Sequence, residues 1–389
     1  MSSVNVAVIG TSFMGKAHSN AWLSVDKFFD VGVKPVLKVA CDIDAQHVRS
    51  FADNWGWEEV ATDWEQVISR KDIDIVDICT PTFLHKDIAI AAAEKGKKIF
   101  CEKPAGRNYE EAKEMYEAVK KAGVLNYLNH NYRRVPAVSF ARQMIKAGKL
   151  GEIYHWRGAY LQDWISDPTF PLTWHLREET AGAGPQNDLN SHSVDLARYL
   201  VGEISIVTAM LKNFILERPL PGADAGTFTS GSGSASQEMG KVTVEDAAFM
   251  VVEFVNGALG SFETSRFANG RKNYNSFEIY GSRGSLSFNM ERMNELEYLN
   301  LSDPAGEQGF RTIQTTDPSH PYVSAWWPPG HIIGYEHTFI HAMKDFLQAI
   351  EDETEISPNL YDGMKVMQVL QAGIQSSNNG RHVKVSDIN

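Results

Sequence analysis

The N-terminal segment of the chain combines an apolar run with a glycine turn, and it constrains the possible folds more than any other feature. Residues 4–9 are rich in β-branched side chains, Gly10 follows at once, and residues 12–18 have the pattern of a helix opening. The pattern predicts a strand, a tight turn and a helix whose first N–H groups can hold a pyrophosphate. Gly15 would let this helix pack closely on the sheet. Ser12 stands where the middle glycine of G-x-G-x-x-G is usual, and its hydroxyl is a further candidate for phosphate contact.

A second predicted strand, residues 35–41, ends in Asp42. An acidic residue at this place in a Rossmann fold accepts a hydrogen bond from the ribose 2′-hydroxyl and repels a 2′-phosphate. We therefore predict NAD as the cofactor in preference to NADP. The simpler alternative is that Asp42 only caps the helix predicted over residues 45–55.

Strand and helix patterns then alternate along the chain. Residues 62–65 predict a helical capping box, residues 73–79 a strand, residues 85–95 an alanine-rich helix and residues 98–101 another strand. Such alternation is typical of a doubly wound α/β fold with a parallel sheet. We predict an N-terminal NAD-binding Rossmann domain over residues 1–128.

The last of these strands is followed by Glu102, Lys103 and Pro104. Ligands in open α/β sheets bind beyond the carboxyl ends of the strands, and the proline restricts Lys103 to extended backbone. A lysine held there would lie near the nicotinamide and could stabilise a developing alkoxide. The alternative is an ordinary surface lysine at the end of a strand.

Asp188 and His192 lie four residues apart in a segment, residues 187–200, that predicts a helix. This spacing puts both side chains on one helical face. Histidine titrates near neutrality, so it can take a proton from an alcohol while a carboxylate orients its ring. A capping or solvated pair without a catalytic role is the alternative.

Residues 129–389 have a different pattern, which predicts an α+β domain for substrate binding and oligomerisation. Asn256-Gly257 is a strong hairpin signal, and consecutive strands imply a large, mostly antiparallel sheet with helices on one face. Residues 217–241 and 302–334 predict long loops, which we interpret as lids or subunit arms. The strands are predicted near residues 152–163, 204–216, 242–256, 258–267, 274–281, 284–289 and 295–301.

Composition limits the classes of function. The formal net charge of −12 argues against a nucleic-acid surface, which would need clustered lysine and arginine. The three cysteines, Cys41, Cys79 and Cys101, lie at or near predicted strand ends, where apolar packing explains them better than disulfides or a metal site. No signal peptide and no apolar run of membrane length is readable. We therefore predict a cytoplasmic protein with no metal and no membrane partner.

Taken together, these motifs resemble the glucose-fructose oxidoreductase, inositol dehydrogenase and MocA (Gfo/Idh/MocA) family over nearly the whole chain. The family's glycine turn falls on residues 10–15, its Thr-Pro on Thr80-Pro81 with His85 following, its Glu-Lys-Pro on residues 102–104 and its Asp-x-x-x-His on residues 188–192. The resemblance implies a catalytic triad of Lys103, Asp188 and His192.

Four longer strings, residues 13–19, 131–134, 160–164 and 217–220, are similar to a subgroup of the family that acts on pyranose rings such as levoglucosan and other glycosides. The chain departs from that subgroup at Trp174, because its Ser-Trp-Arg is replaced by Thr-Trp-His-Leu-Arg. A contact made by the missing arginine would pass to His175 or Arg177. The resemblance implies cofactor contacts from Gly10, Ser12, Phe13, Met14, Asp42, Thr80, Pro81, His85, Glu102, Lys103, Asn131, Arg133, Trp174 and Arg177. It implies substrate contacts from Lys103, Tyr132, Gln162, Asp163, Trp164, His175, Asp188, His192 and Tyr335.

The predicted reaction is reversible hydride transfer between a secondary carbinol carbon of a sugar and nicotinamide, which gives a keto sugar; the resemblance favours C3. His192 is the first choice as base, Lys103 would stabilise the oxygen, and Asp188 would hold both, although the reverse assignment of lysine and histidine stays open. The amide and aromatic groups of Gln162, Trp164 and Trp174 suit an uncharged polyol.

Two alternatives stay open: an inositol (cyclitol) dehydrogenase, and a non-catalytic relative that senses NAD or a sugar. A sheet covered by helices on one face leaves the other face for a subunit partner. We therefore predict a homodimer or homotetramer joined through the C-terminal sheet.

Overall fold

The computed structural model describes residues 2–221 and 238–389. The chain divides into two compact units. The first unit comprises residues 1–136 and 316–365, and the second comprises residues 137–315 and 366–389. These units are defined by packing, whereas the predicted domains, 1–128 and 129–389, are defined by their expected roles and remain a prediction.

The N-terminal part of the chain alternates strands and helices, as predicted. Its elements are β1 (Ser2–Ile9), α1 (Phe13–Phe28), β2 (Val33–Cys41), α2 (Ala45–Trp55), β3 (Glu59–Ala61), α3 (Trp64–Ser69), β4 (Ile75–Ile78), α4 (His85–Glu94), β5 (Lys98–Cys101), α5 (Tyr109–Ala122) and β6 (Asn126–Leu128).

The six strands form one parallel sheet in the order β3-β2-β1-β4-β5-β6. Every residue of β4 is buried, because helices cover both faces of a doubly wound sheet. The strand order is that of the dinucleotide-binding Rossmann fold, with its crevice at the carboxyl ends of β1 and β4. The predicted fold of this part of the chain is confirmed.

Local capping residues explain where two of these helices begin. Asp44 caps α2 by accepting from the N–H groups of Gln46 and His47. Asp63 caps α3, so the predicted capping box that began at residue 62 was wrong by one residue. The Asp63 carboxylate already accepts from the N–H groups at the second and third helical positions, which leaves Thr62 outside the helix.

The remaining elements follow in chain order. They are α6 (Pro136–Lys146), β7 (Ile153–Leu161), α7 (Glu178–Ala181), α8 (Pro185–Asp188), α9 (Asn190–Leu200), β8 (Ile204–Lys212), β9 (Glu217–Pro219), β10 (Met239–Lys241), β11 (Ala247–Phe254), β12 (Leu259–Ser265), β13 (Tyr274–Gly281), β14 (Gly284–Asn289), β15 (Glu295–Asn300), β16 (Arg311–Gln314), α10 (Tyr335–Glu351), α11 (Leu360–Asn379) and β17 (Val383–Lys384).

The second unit is organised around a sheet of nine strands in the order β16-β15-β14-β13-β7-β12-β11-β8-β17. Its pairs are antiparallel except for β12 with β7. Buried and exposed residues alternate along β11, and α8 and α9 contact β11, β12 and β7. One face is therefore packed under helices, as predicted, while the other carries exposed side chains.

The two predicted long loops contain short strands. Residues 217–241 begin with β9 and end with β10, which pair with each other, and residues 222–237 lie outside the described residues. Residues 302–334 contain β16, which extends the large sheet beside β15. The prediction of uninterrupted loops was wrong at these places because such short edge strands are specified by their partners and not by a local pattern. A role as lids or subunit arms remains a prediction.

Cys41, Cys79 and Cys101 are buried with free thiols. Within residues 2–221 and 238–389, no helix has the length and apolar character needed to cross a membrane.

Candidate active site

The glycine turn after β1 is built so closely that side chains would not fit. Gly10 has a φ of +96°, and a Cβ atom added there would lie 2.6 Å from the carbonyl oxygen of Cys79. A Cβ atom on Gly15 would lie 2.3 Å from the carbonyl oxygen of Gly10. Both glycines are therefore required for α1 to begin directly over the sheet.

The N-terminus of α1 fits a dinucleotide pyrophosphate. The Ser12 hydroxyl makes no capping hydrogen bond with the described residues, so it does not occupy the first N–H groups of the helix. Ser12 and Phe13 are exposed beside the turn, and Met14 packs against the core of the unit. These are the groups that a Rossmann fold presents to an anion.

Asp42 lies at the carboxyl end of β2 and is tied to the glycine turn. Its Oδ2 atom accepts from the backbone N–H and the hydroxyl of Thr11, at 2.8 and 2.5 Å, and its Oδ1 atom accepts from the N–H of Ile43 at 2.8 Å. The alternative that Asp42 caps α2 was wrong, because Asp44 is the cap. Asp42 is thus a preorganised carboxylate at the nucleotide end of the sheet.

His85 links the turns that follow β4 and β5. Its ring nitrogens lie 2.9 Å from the carbonyl oxygens of Thr80 and Pro104. Burial lowers the pKa of His85. The neutral ring can donate to only one of the two oxygens at a time. This side chain therefore joins Thr80-Pro81 to the segment that carries Lys103, whose peptide bond to Pro104 is cis.

A buried ionic network includes Glu102, and no local sequence pattern marks it. The ring nitrogens of His18 lie 2.8 Å from Asp77 Oδ1 and 2.8 Å from Glu102 Oε1. Trp22 Nε1 donates to Asp77, and Asn129 Nδ2 donates to Glu102. Donation from both ring nitrogens to these two carboxylates corresponds to the imidazolium form of His18.

The titration of His18 and Glu102 follows from this network. Burial alone would lower the pKa of His18, but the charge of Asp77 and its hydrogen bond outweigh burial and raise that pKa well above its usual value. Burial would raise the pKa of Glu102, but the hydrogen bond and charge of His18 lower it. Cys79 Sγ also lies within 4.8 Å of the ligand atoms of His18 and Asp77. The His18 ring is nevertheless engaged by the two carboxylates.

The predicted continuous helix around Asp188 and His192 was wrong, because it breaks at Leu189. Asp188 ends α8, and His192 lies in the first turn of α9. Leu189 keeps helical dihedral angles, and the N–H of His192 donates to the Leu189 carbonyl at 3.1 Å. The four-residue spacing therefore remains nearly helical, although the backbone is not one α-helix.

Asp188 pairs with an arginine that was not among the predicted site residues. Arg266 Nη2 lies 2.6 Å from Asp188 Oδ2, and the guanidinium lies over the ring of Trp164, with its carbon 5.3 Å from the ring centre. The His192 ring packs edge-on against Tyr160 at 5.8 Å between ring centres. No local pattern marks Arg266, since its partners are distant in sequence.

The second unit brings several predicted substrate residues together in one polar and aromatic surface. Gln162 accepts from Trp164 Nε1 at 2.9 Å, and both the Tyr160 hydroxyl and the Gln162 amide donate to Asn273. His175 packs edge-on against Trp164 and stacks on the indole of Trp174. Asp163 differs from these residues, because its carboxylate forms a salt bridge with Lys272 at 2.8 Å.

Other predicted residues make contacts within their own units. Asn131 donates to the Thr338 hydroxyl at 2.8 Å, and Arg133 donates to the Ser357 hydroxyl at 2.8 Å. Arg177 is half-buried, and its guanidinium lies 3.6 Å from the carboxylate of Glu179. In the first unit Tyr132 is buried, and the ring of Tyr335 is parallel to that of Phe13 at 6.5 Å.

Lys103 belongs to the first unit, whereas Asp188 and His192 belong to the second. The triad and the cofactor and substrate contacts listed from the sequence remain predictions.

Two family models match the chain. The model described as "Oxidoreductase family, NAD-binding Rossmann fold" matches residues 4–130, and the model described as "GFO/IDH/MocA C-terminal domain" matches residues 138–287. The chain belongs to the Gfo/Idh/MocA family. The predicted cofactor, NAD, and the predicted enzyme class, an NAD-dependent oxidoreductase, are confirmed.

Comparison with individual proteins shows which members of the family the chain resembles. The chain is 44% identical to levoglucosan dehydrogenase of Pseudarthrobacter phenanthrenivorans over an alignment of 393 positions, which covers 100% of each protein. A solved structure of levoglucosan dehydrogenase in complex with NADH and levoglucosan is 43% identical, with a TM-score of 0.92 over 98% of this chain and 99% of that chain. scyllo-Inositol 2-dehydrogenase (NAD(+)) of Bacillus subtilis is 31% identical over 73% of each protein. The predicted resemblance to the levoglucosan subgroup is confirmed.

Proposed function

We propose that this protein oxidises a secondary alcohol of levoglucosan, or of a closely related pyranose ring, with NAD as the hydride acceptor, and that C3 is the oxidised carbon. The observation that carries the proposal is the 44% identity with levoglucosan dehydrogenase over the full length of both chains. The product is a keto sugar.

The chemistry of the second unit supports an uncharged polyol as substrate. The indole rings of Trp164 and Trp174 offer flat apolar surfaces for the C–H face of a sugar ring. The amide of Gln162 and the imidazole of His175 offer hydrogen bonds for hydroxyl groups. The predicted role of Asp163 in substrate binding has less support, because its carboxylate is paired with Lys272.

The catalytic roles follow from the needs of alcohol oxidation. Bound NAD supplies the hydride acceptor at C4 of its nicotinamide ring. The hydroxyl proton must leave with the hydride, since a carbonyl forms only when both depart. In the proposed site His192 takes this proton, the Lys103 ammonium stabilises the oxygen as negative charge develops, and Asp188 orients both groups.

The proposed nucleotide contacts come from the strand ends of the first unit. Residues 10–14 hold the pyrophosphate, Asp42 binds the ribose hydroxyls, and Thr80-Pro81 and Glu102 border the nicotinamide. The observations that support this arrangement are the crowded glycine turn and the preorganised Asp42 carboxylate.

A cyclitol is the second candidate substrate. The 31% identity with an inositol dehydrogenase over 73% of each protein favours it specifically, and inositols present the same secondary alcohols. Against it, the chain matches levoglucosan dehydrogenase more closely and over its whole length.

The test is a screen of NADH formation with levoglucosan, other pyranosides and anhydrosugars, and myo- and scyllo-inositol. We expect the highest kcat/KM with levoglucosan or another pyranoside, and loss of that activity in Lys103→Ala. A higher kcat/KM with an inositol would replace the pyranoside by a cyclitol. Absence of NADH formation with every member of the panel would refute the proposal.

We further propose that the protein is a cytoplasmic homodimer or homotetramer joined through the uncovered face of the large sheet. Met210, Phe249 and Val251 lie on the neighbouring strands β8 and β11 and are 77%, 50% and 61% exposed. They border a depression of about 710 Å³ on this face. Large exposed apolar patches of this kind are typical of subunit contacts. Light scattering at micromolar concentration should show a dimer or tetramer that Phe249→Glu dissociates, and a monomeric unmodified protein would contradict the proposal.

A further inference from the structure

The buried guanidinium of Arg266 contacts the carboxylate of Asp188. Arg266 follows β12 directly, and only 1% of the residue is exposed. Its Nη2 atom donates to Asp188 at 2.6 Å, and its guanidinium lies over the indole of Trp164. The Asp188 side chain is 32% exposed, whereas the guanidinium that it contacts is buried.

The hydrogen bonding of Arg266 is poor for a structural arginine. Its Nε and Nη1 atoms are buried and have no hydrogen-bond partner among the described residues. Buried donors without acceptors cost free energy, and a buried ion pair contributes to stability only when its remaining donors are satisfied. Folding alone therefore gives little reason for an arginine at this position.

Arg218 shows the contrast within the same unit. It is also fully buried, and its Nε atom likewise has no hydrogen-bond partner among the described residues, but its Nη1 and Nη2 atoms donate to the backbone carbonyls of Ile165, Asp167 and Phe170. Those carbonyls would lose their partner if the arginine were removed. Arg218 is therefore a structural arginine that stabilises a loop, and it provides a matched control for Arg266.

The short helix that carries Asp188 is held at both ends by residues that flank two neighbouring strands of the sheet. At its start, the N–H of Gln186 donates to the half-buried carboxyl of Glu245 at 2.8 Å. At its end, Asp188 pairs with Arg266, whose own N–H donates to the Asp246 carbonyl. Glu245 and Arg266 thus belong to adjacent chain segments that lead into β11 and out of β12. A helix of four residues has little stability of its own, so these contacts determine where the carboxylate points.

We propose that Arg266 is a positioning residue, which fixes the orientation and the charge of the Asp188 carboxylate and the plane of the Trp164 indole for the dehydrogenase reaction. The inference rests on the proposed function of this site and adds a residue to it. A buried cation lowers the cost of keeping Asp188 ionised, and the planar guanidinium can contact a carboxylate edge and an aromatic face at once.

The test compares Arg266→Met with Arg266→Lys, Arg218→Met and the double variant Asp188→Asn/Arg266→Met. For Arg266→Met we expect kcat with the best sugar of the screen to fall by about 10- to 100-fold, as for a residue that orients a catalytic group, with NAD affinity and Tm nearly unchanged. Arg266→Lys should recover part of the loss, because the charge remains while the planar contact is lost.

The controls separate positioning from folding. Arg218→Met should lower Tm while keeping kcat. In the Asp188→Asn background, Arg266→Met should cost much less than in the unmodified protein, because both changes act through one carboxylate. Unchanged kcat in Arg266→Met, a drop in its Tm as large as that of Arg218→Met, or full additivity with Asp188→Asn would each overturn the proposal.

A crystal structure of Arg266→Met tests the inference without any substrate. A displaced Asp188 carboxylate and a rotated Trp164 ring are expected, and an unmoved site would overturn the proposal. Lack of sugar oxidation by the unmodified protein would instead refute the proposed function, and the crystal structure would still decide the role of Arg266.

Discussion

Replacement of Asp42 by asparagine tests how this protein chooses its cofactor. In the structure the carboxylate accepts three hydrogen bonds from Thr11 and Ile43, so it is held at the end of β2 before any nucleotide binds. Asparagine has the same size, and its amide oxygen can still accept from Thr11. Asp42→Asn therefore removes the negative charge while keeping most of the local structure.

The expected magnitude follows from the two ribose hydroxyls. A hydrogen bond to a charged group contributes about 1 kcal/mol more than one between neutral groups. If Asp42→Asn makes both ribose hydrogen bonds neutral, NAD binding loses about 2 kcal/mol, which corresponds to a decrease of about 30-fold in kcat/KM with NAD. Activity with NADP should fall less or rise, because the repulsion of the 2′-phosphate disappears. The ratio of the two efficiencies should shrink accordingly.

The assay is NADH or NADPH formation at saturating sugar, with kcat/KM measured for each cofactor. Thr11→Val is the matched control, because it removes one hydrogen bond to Asp42 at nearly constant volume and leaves the charge in place. It should weaken NAD binding without changing the preference for NAD over NADP. Equal use of NADP by the unmodified protein, or an unchanged ratio in Asp42→Asn, would refute this reasoning.

Three further predictions concern catalysis and stability. Lys103→Ala and His192→Ala should each lower kcat by ~10²- to 10⁴-fold, and Asp188→Asn by less, with unchanged NAD affinity in a fluorescence titration; retention of more than about a tenth of the activity by both alanine variants would contradict their roles. Gly10→Ala should destabilise the fold by at least ~1–2 kcal/mol in denaturant unfolding, because its φ of +96° disfavours a Cβ atom that also meets a carbonyl oxygen; wild-type stability would contradict the crowding argument. Because the pKa of His18 is raised in the folded state, the protonated His18 ring stabilises the fold fully below its unfolded pKa, near 6.5, and this stabilisation is lost as the pH rises through the folded pKa. The free energy of unfolding should therefore decline on the alkaline side, and His18→Asn should flatten that decline. An identical pH profile of unfolding in the variant would contradict this role of His18.

The Rossmann part of the fold was predictable because its signals are local. The apolar strands, the glycine turn and the helix caps each lie within about ten residues of sequence, and their order matches a topology with few alternatives. Even the error at the α3 cap was one residue, because Thr62 and Asp63 are both good capping residues. The sequence could not show that Asp44 caps α2 while Asp42 contacts the glycine turn, since both aspartates follow the same strand.

The candidate site was predictable only in part, because its supporting contacts are non-local. Arg266 meets Asp188 across 78 positions of sequence, and His18 meets Glu102 across 84. No periodicity or spacing marks such pairs. The break at Leu189 was missed for a related reason, since the short helix before it is held by the distant Glu245 and not by its own sequence.

The most direct test of the proposed reaction is the fate of a deuterium atom placed on C3 of levoglucosan. After incubation with this protein and NAD, mass spectrometry of the reduced cofactor should show one deuterium per molecule, and the sugar product should be the 3-keto compound. Reduced cofactor without deuterium, formed together with an oxidised sugar, would show that the hydride leaves another carbon. Absence of both products under conditions where NAD binds would contradict the assignment of this protein as a levoglucosan-type dehydrogenase.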